Sequence, residues 1–123
     1  MERIEIYFLT CAMLHLNCFI MEKIIDRRVY NTETGVEIAY WSNGGGRSDF
    51  SFCEETIYRS PKGRYFLHGE GGAASKYAVS GIGFSSGGED ISLLDEDAVI
   101  DKLVEWGEVE IVKELFPDSV EEG

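Results

Sequence analysis

His68 and Glu70, two positions apart, lie with Glu54 and Glu55 on or beside one expected hairpin and are the plainest raw material for acid-base chemistry in this chain. An imidazole beside carboxylates can move protons or assist a metal near neutral pH. Strand geometry restricts the set, because successive residues point to opposite faces and Glu54 and Glu55 cannot serve one site without a bulge. Gly69-Glu70-Gly71-Gly72-Ala73-Ala74 has the G-x-G-x-x-A form of a dinucleotide-binding turn, but Ser75 to Gly81 makes a poor following helix and no βαβ unit surrounds it. Lys76 is not set in a phosphate-binding loop, and these glycines are expected to serve turns and close backbone approach. Cys11, Cys18 and Cys53 lack the spacing of a zinc or redox motif and are read as reduced and structural, with the Cys53 thiolate disfavoured by neighbouring Glu54. His15 and His68 have no metal-spaced partner. No catalytic residue, metal or cofactor is therefore assigned. The competing reading is a small enzyme or ligand-binding module using His68 and Glu70 at the glycine-rich loop.

The stronger signal is charge. The chain has 123 residues, a formal charge of -12, and 44% hydrophobic content, enough for one modest core. From Glu89 to Gly123 there are 13 acidic residues against Lys102 and Lys113, a net of -11, so the rest of the chain is nearly neutral. Asp97, Asp101 and Glu105 recur every fourth residue and share one helix face. Glu108 would join that face if the helix continued past Gly107, and Glu110 and Glu114 extend the acidic surface. Like charges at this spacing cost a few tenths of a kcal/mol per pair, roughly, so helix stability does not call for them. A solvated face is the plain reading, and a carboxylate array offered to a basic groove is the sharper one. Direct binding of nucleic acid is disfavoured by the same charge. Arg59, Lys62 and Arg64 are interleaved with Tyr58, Tyr65 and Phe66, but beside Glu54 and Glu55 they read as an ordinary solvated hairpin.

The elements that must position these residues follow from local pattern. Alternation predicts strands over Lys23 to Tyr30 and Val36 to Trp41, joined by Asn31 to Gly35 as a first hairpin. Phe50 to Arg59 and Arg64 to His68 form a second, around Ser60-Pro61-Lys62-Gly63, where proline presets a type I turn. The stretch through Gly88 reads as an exposed connection with at most a short strand near Tyr77 to Val79. Ile91 to Leu94 can close the sheet. Asp95 caps a helix expected over Glu96 to Trp106, Gly107 ends it, and a second helix over Glu108 to Phe116 stops before Pro117. The expected fold is α+β: a small antiparallel sheet of about four strands, as two hairpins, covered by two carboxy-terminal helices.

Residues 1–20 form a hydrophobic extension, too short for a comfortable membrane span and without the basic start and cleavage site of a secretory signal. Met21 is the expected start, residues 21–123 a single domain, and 89–123 its acidic helical part.

Asn31-Thr32-Glu33-Thr34, the run from Glu55 to Gly72, and Gly87-Gly88 before Ile91 to Leu94 together resemble a family of small proteins carried by phages and mobile elements. The resemblance covers about residues 21–116 and implies a bacterial cytoplasmic setting among proteins that include anti-CRISPR inhibitors. On it, the expected role is a non-enzymatic acidic inhibitor. Asp97, Asp101, Glu105, Glu108, Glu110 and Glu114 would occupy a basic nucleic-acid-binding surface of a CRISPR effector or another nuclease complex. Neither membrane nor direct nucleic-acid binding is expected, and self-association through the amino terminus is an alternative role.

Overall fold

The computed structural model describes residues 21–46 and 48–123. The expectations for residues 1–20, including Cys11, Cys18 and His15, lie outside them. Strands β1 (Glu22–Ile25) and β2 (Arg28–Asn31) form one two-stranded ribbon. Strands β3 (Val36–Ser42), β4 (Cys53–Arg59), β5 (Tyr65–Gly71) and β8 (Gly88–Leu94) form an antiparallel sheet in the order β3-β4-β5-β8. Between β5 and β8, strands β6 (Val79–Gly81) and β7 (Phe84–Ser86) make a short exposed ribbon. Helices α1 (Glu96–Glu105) and α2 (Val109–Leu115) follow, then a 3-10 turn over Pro117–Ser119.

Alternation along the strands gives the sheet two apolar faces. Ala39, Ile57 and Leu67 pack on one side against Val99 and Leu103 of α1 and against Val112 and Phe116. On the other side Phe66 and Ile91 pack against Tyr30, so the β1-β2 ribbon covers the face that the helices do not. Lys23 ties the ribbon to the sheet through Asp90, at 2.6 Å, and the Ile91 carbonyl.

The first expected hairpin is corrected by this arrangement. Lys23 to Tyr30 is not one strand but folds back on itself at Asp26 and Arg27, and β3 pairs with β4 rather than with β2. Both turn residues have positive φ, 53° and 65°, as a tight two-residue hairpin turn requires, although neither is glycine. The side-chain crowding this causes costs of order 1 kcal/mol per residue. The double substitution Asp26→Asn with Arg27→Gly is therefore expected to raise stability by about 1 kcal/mol, read from the urea midpoint at unchanged slope.

Of the two expected hairpins only β4-β5 is present as such. The Gly63 amide donates to the Ser60 carbonyl at 2.8 Å, and Gly63, at φ 84°, takes the left-handed position that closes the loop. In α1 the Asp95 carboxylate accepts from the Ala98 amide at 2.8 Å. Gly107, at φ 77°, ends the helix because a left-handed residue turns the chain off its axis.

Candidate functional site

Helix α1 buries Val99 and Leu103 and reaches Lys102 toward the sheet, which turns Asp97, Asp101 and Glu105 outward on the opposite side. All three are exposed, as are Glu110 and Glu114 on α2. Glu110 lies 4.0 Å from Lys113 of its own helix. Glu108 does not join the ridge. The left-handed Gly107 breaks the helix before it, and Glu108 becomes the residue preceding α2, half-buried, with its side chain making no capping bond.

The position of these carboxylates along the helices separates two explanations. Asp95, Glu96 and Asp97 stand at the start of α1, where the helix dipole favours negative charge. Glu105 ends α1 and Glu114 lies in the last turn of α2, where the dipole opposes negative charge by about 0.3–1 kcal/mol. Helix stability accounts for the first group and not for the second.

A different carboxylate does hold the fold together. Glu55, only 2% exposed, points from β4 to the helix side of the sheet. Its carboxylate accepts from Lys76 Nζ at 2.8 Å and Tyr77 Oη at 2.5 Å, both from the loop after β5, and from Lys102 Nζ of α1 at 3.3 Å. Burial pushes the Glu55 carboxyl upward, but the hydrogen bonds from Lys76 and Tyr77 and the field of Lys102 outweigh it and hold the group below its ordinary 4.5. The same contact raises Lys76 above its ordinary value. Tyr77 is pushed well above its ordinary value, first by burial and then by its bond to Glu55. A carboxylate fixed in its ionised form and a phenol fixed in its neutral form make a structural clasp and a poor proton relay.

Gly69 makes the clasp possible. It pairs with Glu55 across β4-β5, and a Cβ there would lie 1.9 Å from the Tyr77 ring. Trp41, the other neighbour of Glu55, stacks on Trp106 at 6.2 Å between ring centroids. Through these contacts the sheet fixes the loop and the helix that presents the acidic ridge.

The residues of the competing reading are divided by the pleat. Glu54, His68 and Glu70 share the face away from the helices, with Glu54 directly opposite Glu70, while Glu55 lies on the other. Tyr40 donates to Glu54, and His68 Nε2 lies 2.9 Å from a Glu89 carboxylate oxygen across β5-β8. Sequence reasoning missed Glu89, which the β5-β8 register places there. Among the described residues no three histidine, cysteine or acidic side chains are grouped so as to hold a metal. The glycine run leads into turns, with Gly71 against Ser75 and Gly72 against the Phe50 backbone. Cys53 is a buried free thiol; burial first, then the field of Glu55, raises its pKa. Among the described residues no helix is long and apolar enough to cross a membrane.

Fold and site together define a small α+β domain in which two helices, clasped to a four-stranded sheet, carry an outward acidic ridge. Comparison of the chain with profiles of known families, with curated proteins and with solved structures gives no match.

Proposed function

We propose that this chain is a non-enzymatic inhibitor whose acidic helical face occupies a basic nucleic-acid-binding surface on another protein, a bacterial CRISPR effector being the partner to which its sequence resemblance points. The reading is carried by Glu105 and Glu114, carboxylates held where the helix dipole opposes them and left exposed. With Asp97, Asp101 and Glu110 they build a surface whose cost to the isolated protein a cationic partner would offset. Along α1 the ridge offers a carboxylate about every 6 Å, against one phosphate per 3.4 Å or so of duplex axis on each nucleic-acid strand. It thus imitates a strand at roughly half its charge density.

Converting Asp97, Asp101 and Glu105 together to lysine tests this in a gel-shift assay of DNA binding by the effector. Inhibition is expected to weaken by about a hundredfold or more, since like charges across an interface cost several kcal/mol. Glu105→Lys alone relieves the unfavourable dipole contact and is expected to raise thermal stability slightly. Asp97→Lys works the other way at the start of α1, so the thermal stability of the triple variant is measured alongside, and lost inhibition in a protein still folded at the assay temperature cannot come from unfolding. Undiminished inhibition by the triple variant would refute the proposal.

A further inference from the structure

The molecule also has a basic end. Among the described residues Lys23, Lys76, Lys102 and Lys113 lie within 4.0 Å of a carboxylate, and Arg27, Arg28, Arg59, Lys62 and Arg64 do not. Arg27 and Arg28 lie at the β1-β2 turn, and the other three flank or belong to the β4-β5 turn. Between β2 and that turn runs an open groove of about 710 Å³, walled by Arg28, Lys62 and Arg64 with Val29, Ser60 and Thr34, and among the described residues no carboxylate lines it. Ser60 Oγ accepts from the Arg64 amide at 3.1 Å, which leaves its hydroxyl hydrogen to donate. The groove opens beside the ribbon covering one face of the sheet, whereas the acidic helices cover the other.

We propose that this groove binds a small phosphorylated molecule, a function separate from the acidic face. Arg28, Lys62 and Arg64 line one groove from two elements, and together they can supply the several donors that the oxygens of a phosphoryl group need, arginine with paired donors in fixed geometry. The volume suits a nucleotide-sized ligand. The charge of -12 selects against a longer polyanion, because every phosphate lying outside the groove meets the repulsion of the whole molecule. The adjoining cleft shares Arg64 but carries Asp95 and Glu96, which confines an anion to the β2 side.

The test uses the full chain, labelled with 15N and titrated with inorganic pyrophosphate. Saturable shifts are expected at the amides of residues 28–31 and 60–64. Arg28→Gln and Arg64→Gln, made separately because either exposed side chain can be lost without opening the core, are each expected to weaken binding about tenfold. An uncharged nucleoside should produce no such shifts. No saturable shift with pyrophosphate, or shifts that both variants retain, would overturn the site. A single-stranded oligonucleotide binding there more tightly than pyrophosphate would overturn the small-molecule assignment in favour of nucleic acid.

Discussion

Replacing Glu55 with alanine is expected to destabilise the protein by about 2–3 kcal/mol, the order of a lost hydrogen bond to a charged group, since the lysines left behind still reach solvent. The loss has two parts. Lys102, half-buried against the sheet, keeps its charge but loses its carboxylate, and the loop bearing Lys76 and Tyr77 loses its anchor. Glu55→Gln keeps shape and one acceptor, so a smaller loss is expected. Because the folded carboxyl is held below its unfolded value near 4.5, its contribution is complete above that pH and disappears as pH falls through the folded value. Urea unfolding at a series of pH values should therefore show wild type losing stability on acidification below about 4.5, while Glu55→Gln follows a flatter curve. Parallel curves would assign the acid sensitivity to other carboxylates.

Gly69→Ala is expected to cost about 2–3 kcal/mol, far more than the substitution costs in an ordinary strand, since it breaks a hydrogen bond to a charged group. An added Cβ would stand 1.9 Å from the Tyr77 ring, so the ring must swing away and release Glu55. The three atoms nearest that Cβ all belong to Tyr77, which gives the prediction a sharp control. In a Tyr77→Ala background those atoms are gone, and Gly69→Ala should cost far less. A double-mutant cycle reads the coupling directly. Additive costs would mean that Gly69 is needed for backbone reasons and not for the clasp.

Much of the helical layer was legible because its ends carry local signals. Asp95 and Gly107 act through bonds and dihedrals within a few residues of themselves, and Pro117 lies just beyond α2. Ser60-Pro61-Lys62-Gly63 likewise announces the β4-β5 turn. The β1-β2 turn was hidden, since Asp26 and Arg27 adopt a glycine-like conformation without a glycine, and packing of Tyr30 on Phe66 compensates for it. Alternation separated Glu54 from Glu55 correctly but could not say which of them would be buried. The clasp joins Glu55 to Lys76, Tyr77 and Lys102 across long stretches of chain, beyond the reach of any local pattern. One signal could have found it: a glycine within a strand, opposite a carboxylate, marks a place where another group comes close. The acidic ridge was readable from spacing alone. The exclusion of Glu108 from that face follows from the left-handed turn at Gly107, past which the helix would have had to continue.

The acidic face is tested most directly by affinity capture from a bacterial host lysate, with the full chain and its Asp97→Lys/Asp101→Lys/Glu105→Lys variant side by side, at low and high salt, and the bound proteins identified. The expected result is a nucleic-acid-binding complex held by wild type alone at low salt, and released both by high salt and by added nucleic acid, because both compete for the same cationic surface. Capture of the same complex by both proteins, or retention in the presence of excess nucleic acid, would contradict it.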